Sequence, residues 1–279
     1  MILKRERRKA DFPEATESPL NNAVGRRDKS VLQMAKDAVR HKQCMLAFQP
    51  VVQARAPNQV AFYEGFIRVL DETGRVIPAR EFMPAVENTE VGRDLDCIAL
   101  ENGLRILAKT PQIRLSINMS ARSIGYRRWM RILDRHLKQQ ATLGERLILE
   151  INQGSAMTVP ELVIDFMDRL QGLGIAFALD DYGADPVSFS QFRDFFFDAV
   201  KIDGQFVRKV SSDSGNQAVV RSLIALAREF DMLIVAESVE TKEDAQFLVE
   251  AGIDALQGYL FGAPSVNPPW QKDSQRRSA

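Results

Sequence analysis

Eight polar residues interrupt otherwise apolar runs along the chain. They are Glu64 in "YEGFIR", Asn118 in "LSINMS", Glu150 in "LILEIN", Asp180 and Asp181 in "FALDDYG", Lys201 in "AVKID", Glu237 in "IVAESV" and Gln257 in "ALQGY". Carboxylates brought together in a low-dielectric cleft repel one another unless protons or cations neutralise them. One lysine is not enough. One or two Mg²⁺ or Mn²⁺ ions are, and an asparagine carbonyl among Asp and Glu is a normal ligand set for such ions. Asp180 and Asp181, side by side, suit two metals, one residue bridging and one terminal. A pair of ions fits in-line attack of hydroxide on a phosphodiester, with Lys201 orienting the water or offsetting transition-state charge. The same residues also fit proton abstraction beside a carboxylate, as in enolase-type enzymes. Spacing does not separate these two chemistries.

For such residues to cooperate, strands must deliver them to one place. "MLAFQPVVQ" reads as a strand, a polar turn through Pro57 and Asn58 follows, and "AFYEGFIRVL" reads as a second strand before a turn at "DETGRV". "IRLSINMS", "RLILEIN", "IAFALDDYG", "AVKID", "LIVAESV" and "ALQGYLF" supply six more strands. Helical periodicity appears at 91–110, 123–140, 159–174, 216–230 and 242–252, and a short helix is expected at 188–196. An earlier helix places Val31, Leu32, Met34, Ala35, Ala38 and Val39 on one stripe. Such alternation implies a mainly parallel sheet covered by helices. Eight strands favour closure into a (β/α)8 TIM-like barrel. The alternative, an open doubly wound sheet, lacks a glycine-rich phosphate loop after the first strands. Each polar residue falls toward the C-terminal end of its strand, and in a barrel those ends converge on the face that carries active sites. The plainer explanation, strand ends capped into solvent, suits one such residue better than a run of them on seven successive strands.

The totals agree with a single soluble domain. The chain has 279 residues, 45% hydrophobic and 27% charged, and Lys+Arg equals Asp+Glu at 37 each. No global field therefore draws it to DNA or RNA. Cys44 and Cys97 read as reduced, packed thiols of a cytoplasmic protein, and His41 and His136 as surface residues that cannot build a zinc site. No stretch reaches membrane-span length. The basic "MILKRERRKADF" lacks the apolar core of a secretory signal and reads as a tail open to an anionic partner. The expected organisation is a disordered basic and polar tail over 1–28, a barrel over 29–265 and a C-terminal tail over 266–279.

"FQPVV", "EGFIR", "INMS", "LEINQ", "LDDYGADPVS", "VKID", "VAESVET" and "LQGYLF" resemble, in order, the signature segments of the bacterial EAL domain, from about residue 45 to 264. The resemblance implies an EAL-type barrel, often with its first strand antiparallel. It implies a phosphodiesterase of cyclic di-GMP signalling that opens cyclic di-GMP to linear pGpG with two Mg²⁺ or Mn²⁺ ions. Carried onto this sequence, Glu64, Asn118, Glu150 and Asp180 hold the first metal, and Asp180, Asp181 and Glu237 the second. Lys201 stands near the nucleophilic water and Glu237 is the family's candidate general base. Gln49, Arg68 and Gln257 match positions at the dinucleotide, and Glu240 a glutamate that supports the neighbouring loop.

Departures from the family pattern are specific. Gly65 and Phe66 replace Ala and Leu of the name motif, and Ser238 stands where the family has Gly. In the loop after the fifth strand Asp185 replaces a Gly and Pro186 follows it, which reduces backbone freedom. Gln153 replaces the glutamate that anchors that loop in the family. The two changes are read as linked: Gln153 is expected to donate to Asp185 or to the loop backbone. Three functions stay open at this level: an active phosphodiesterase, a non-catalytic cyclic di-GMP receptor, and a regulator that binds a protein. A homodimer is a further candidate assembly, weakened by the altered loop that supports it in the family.

Overall fold

The computed structural model describes residues 19–185 and 192–270. Nine strands form one sheet: β1 Cys44–Gln53, β2 Ala56–Leu70, β3 Val76–Pro78, β4 Leu115–Asn118, β5 Leu147–Asn152, β6 Ala176–Tyr182, β7 Ala199–Ile202, β8 Leu233–Ala236 and β9 Ala255–Gln257. Their order is β1-β9-β8-β7-β6-β5-β4-β2-β3, and pairing of β1 with β2 closes eight of them into a barrel. β1 is antiparallel to both neighbours, β2 and β9. The remaining barrel pairs are parallel. The barrel and its reversed first strand match the expectation.

Strand alternation explains where the core and the site lie. Leu147, Leu149 and Ile151 of β5 join Leu115, Ile117, Phe177, Leu179, Val200, Ile202 and Ile234 in the layer between sheet and helices. The alternate residues point into the barrel, because side chains along a strand face opposite sides. Val51, Phe62, Val235 and Ala255 form a small apolar plug there. Two residues further on lie Glu64 in β2, Glu237 just past the end of β8, and Gln257 in β9. The barrel interior is thus apolar below and ionic above.

Several boundaries differ from the sequence reading. The first helix, α1, spans Pro19–Arg40, so residues 19–28, assigned to a tail in the sequence reading, are helical. Proline is favoured at a helix's first position, where its missing N–H has no partner to lose. Residues 1–18 lie outside the described residues. The stripe from Val31 to Val39 packs, as expected, on Val69, Ile77, Phe82, Val86 and Leu95. The first hairpin turns at 54–55, not at Pro57 and Asn58, which fall within β2 as an irregularity opposite β1. A proline is tolerated there because a bulge needs no N–H at that point. Glu64 lies mid-strand, since β2 runs on to Leu70 by pairing with β1 and β3. β3 replaces the end of an expected turn. The C-terminal segment is packed as far as Trp270, whose ring meets Phe48 at 5.2 Å and Tyr63 at 4.4 Å. Residues 271–279, and 188–191 of the expected short helix, lie outside the described residues.

Candidate active site

Lys201 on β7 is the centre of the ionic layer. Its Nζ lies 2.8 Å from Glu64 Oε2, 2.7 Å from Glu150 Oε2, 3.3 Å from Asp180 Oδ1 and 2.5 Å from Glu237 Oε1. An ammonium has three N–H donors, so four carboxylates cannot all be satisfied. Lys201 donates hydrogen bonds to Glu64 and Glu150, while Asp180 and Glu237 are held by ion-pair contact, Asp180 Oδ1 being buried without a hydrogen bond among the described residues. Glu150 Oε1 is also buried without a partner among the described residues. Glu64 gains more support: Asn118 Nδ2 donates to its Oε1 at 2.7 Å and Gln257 Nε2 to its Oε2 at 2.7 Å. Gln257 Nε2 also reaches Gln49 Oε1 at 3.2 Å, and Gln49 donates to the Gly262 carbonyl at 2.9 Å.

The charges sort accordingly. Burial penalises the Glu64 carboxylate, but the charge of Lys201 and donors from Lys201, Gln257 and Asn118 hold it below the ordinary range. Glu150 is pushed well above that range by burial and by the charge of Glu64. Glu237 is raised by burial and, despite Lys201, by Asp180 and Glu64. Burial disfavours the Lys201 cation, yet Asp180, Glu150, Glu237 and Glu64 keep it protonated well beyond its usual value. Lys201 is therefore a donor and not a base.

Asp180 and Asp181 reach the site together because the strand is irregular. β6 shifts register against β7 between Leu179 and Tyr182, and Asp181 has a left-handed φ of 55°. Without that break, consecutive side chains would face opposite sides of the sheet. With it, oxygens of Asp180, Asp181 and Glu237 lie within 4.8 Å of one another. Burial and the charge of Asp180 raise Asp181 to about 6. Asn152 Nδ2 donates to Asp181 Oδ2, while its Oδ1 caps the short helix Gln153–Thr158 by accepting from Ser155 N. Asn152 escaped the sequence reading as a site residue, although an amide at the end of an apolar strand was its signal.

Gln153 is fully buried beneath the loop that follows. Its Nε2 donates to the Asp185 carbonyl at 2.7 Å, and its Oε1 accepts from Gly183 N at 3.0 Å. The expected link is thus present, through the backbone and not the Asp185 carboxylate. Glu240 is exposed on the rim and makes no side-chain hydrogen bond to the loop among the described residues.

A groove of about 1270 Å³ opens above this cluster and includes Gln49, Glu64, Arg68, Asn118, Asp180, Asp181, Glu237, Glu240 and Gln257 among its walls. Arg68 lies over the Phe66 ring at 5.4 Å, so the residue that departs from the name motif supports a cation at the groove. Arg208, from the loop after β7, also reaches the wall and was not foreseen.

The EAL domain family profile matches residues 32–264. The chain is an EAL domain. PdeF, a cyclic di-GMP phosphodiesterase of Escherichia coli K12, is 30% identical to it over 239 residues, covering 84% of this chain and 32% of PdeF. PdeB, a cyclic di-GMP phosphodiesterase of Shewanella oneidensis, is 26% identical over 231 residues, covering 81% of this chain and 27% of PdeB. This EAL domain therefore spans about a third of the length of the curated relatives it matches. Among solved structures, the PaMucR phosphodiesterase in complex with c-di-GMP superposes with a TM-score of 0.74 at 26% identity, covering 87% of this chain and 99% of that one. The FimX EAL domain from Pseudomonas aeruginosa bound to c-di-GMP gives 0.76 at 25% identity, covering 85% and 96%. No described helix of this EAL domain is long and apolar enough to cross a membrane.

Proposed function

We propose that this EAL domain is a metal-dependent phosphodiesterase that hydrolyses cyclic di-GMP to linear pGpG. The observation that carries the reading is the set of four carboxylates around one buried lysine, with Asp181 beside them, under an open groove. The donor set suits hard divalent cations: oxygen ligands only, two of them buried and lacking hydrogen-bond partners. Glu64, Asn118, Glu150 and Asp180 would hold one Mg²⁺ or Mn²⁺, and Asp180, Asp181 and Glu237 a second. Such ions supply acidified water and neutralise charge on the phosphoryl oxygens.

The chain's own groups do the rest. Lys201, held protonated, donates toward the attacking water and offsets charge developing at phosphorus. Glu237, which lies at the edge of this cluster, is placed to accept a proton from that water. The oxygen of water joins phosphorus and the bond to the ribose 3′-oxygen breaks; that oxygen takes up a proton from solvent, and Glu237 returns the proton it accepted to solvent. Gln49, Arg68 and Gln257 orient the dinucleotide on the opposite wall. The altered loop at Asp185 favours a second reading, a receptor that binds cyclic di-GMP without cleaving it.

Incubation of the purified chain with cyclic di-GMP and Mg²⁺ or Mn²⁺, followed by chromatography, separates these. Formation of pGpG that is lost with EDTA and in Glu64→Ala is the expected result. Tight binding without product would replace the enzyme reading with the receptor, and no binding would overturn both.

A further inference from the structure

Ser238, beside Glu237, has a left-handed φ of 56°. A residue with a Cβ costs about 1–2 kcal/mol there relative to glycine, and strain of this kind concentrates at functional positions. Two neighbours show what the side chain gains. Arg208 Nη2 donates to Ser238 Oγ at 3.2 Å. Gly204 leaves the room for it: a Cβ added at 204 would stand 2.7 Å from Ser238 Cβ and nearer still to its Oγ. Gly204 and Ser238 are therefore a matched pair, in which one position carries a side chain because the other does not.

The arginine so held is exposed on the groove wall, next to Ser238 and Glu237. Among the described residues no carboxylate lies within ion-pair distance of it, and its remaining N–H donors have no protein partner. Strand order puts β1, β9 and β8 between β2, which carries Arg68, and β7, which precedes Arg208. Arg68, Arg80, Arg93, Arg122 and Arg208 all line the groove. Among them Arg208 is the one delivered from the β7 side, apart from Arg68 on β2, and a cyclic dinucleotide has two phosphodiesters to place. A guanidinium presents its donors in a fork that fits phosphate oxygens.

We propose that Arg208 is a substrate-contacting residue that binds a phosphate oxygen of the cyclic dinucleotide, with Ser238 as its positioning residue and Gly204 as the space that admits it. The inference rests on reading the groove as a cyclic di-GMP site.

Calorimetric titration of the whole chain with cyclic di-GMP in EDTA, where no turnover occurs, tests it. Arg208→Ala is expected to weaken binding about 10- to 100-fold, the range of a hydrogen bond to a charged group. Arg208→Lys should recover part of that loss. Ser238→Ala, which keeps the Cβ and removes only the hydroxyl, should weaken binding about 3- to 10-fold, on the scale of one neutral hydrogen bond. The double variant should bind no worse than Arg208→Ala alone. Wild-type affinity in Arg208→Ala, or additive losses in the double variant, would overturn the proposal while leaving the groove assignment intact. Failure of the wild-type chain to bind would overturn that assignment and this proposal with it. Thermal unfolding checks the pairing separately: Gly204→Ala should lower Tm in the native background and not in Ser238→Gly. An equal drop in both backgrounds would sink the matched pair.

Discussion

At the floor of the groove Glu64, Glu150 and Lys201 are at most 1% exposed, whereas the Asp180 and Glu237 side chains nearer the rim are 17% and 20% exposed. The floor is set by rigid strands and direct ionic contact. The rim, with Asp181, is set by a strand irregularity and by amides, Asn152 and Gln153, that hold a loop. A buried charge must be compensated within its own shell, while a rim charge can borrow from water and needs orientation more than neutralisation. Replacements at the floor should therefore act on stability first, and replacements at the rim on site geometry.

The strongest test of that contrast is Lys201→Met. Removing the only cation from a buried cluster should cost about 3–5 kcal/mol, read by denaturant unfolding in EDTA. Mg²⁺ or Mn²⁺ should restore part of the loss. A variant as stable as wild type in EDTA would mean that protons, not Lys201, neutralise the floor.

Acidity gives the next effect. Burial raises Asp96, whose carboxylate accepts from Ser123 Oγ at 2.6 Å and Ser120 N at 3.1 Å, to about 6. Asp181 is raised to a similar value. Because both folded values lie above the ordinary carboxylate range, the folded chain binds more protons than the unfolded chain between about pH 4 and 6. Metal-free stability should rise as pH falls from 7.5 to 5, with Asp96 alone contributing about 1.4 kcal/mol over that range. A Tm in EDTA that falls steadily over that range would show that ionic attractions at the floor dominate instead.

Gln153→Glu probes the rim. It keeps the acceptor for Gly183 N but places an oxygen where an N–H now meets the Asp185 carbonyl, at a cost of about 2 kcal/mol. Metal affinity by calorimetry and turnover should both fall, the latter about tenfold. If both rose with Asp185 in place, the amide would not be the fitting partner of this loop. The smallest effect is expected at Tyr182, whose buried hydroxyl has no partner among the described residues and whose ring stacks on Phe192 at 5.6 Å. Tyr182→Phe should raise Tm by the equivalent of about 1 kcal/mol, and a lower Tm would reveal a hydrogen bond made by that hydroxyl.

Much of the ionic layer was legible in the sequence. Glu64, Asn118, Glu150, Asp180, Lys201, Glu237 and Gln257 each interrupt an apolar strand, and parallel strands in a closed sheet leave few places for such residues to go. The ends of the chain were harder to read, because neither the start of the helix at Pro19 nor the packing of Trp270 follows from a periodic pattern. The turn at Pro57 and Asn58 was misplaced because a bulge tolerates the same residues as a turn. Asn152 and Arg208 were missed because one amide and one loop arginine carry no signal until their neighbours are known.

The sequence by itself determined the barrel, the family and which residues line its ionic layer, since alternation along a strand is a local property with a fixed period. Only the tertiary structure decided that four carboxylates share Lys201, that Gln153 both donates and accepts beneath its loop, and that Ser238 and Gly204 exchange space under Arg208. Those relations depend on strand register, on left-handed φ values at Asp181 and Ser238, and on contacts between residues 30 or more positions apart. No local pattern encodes them.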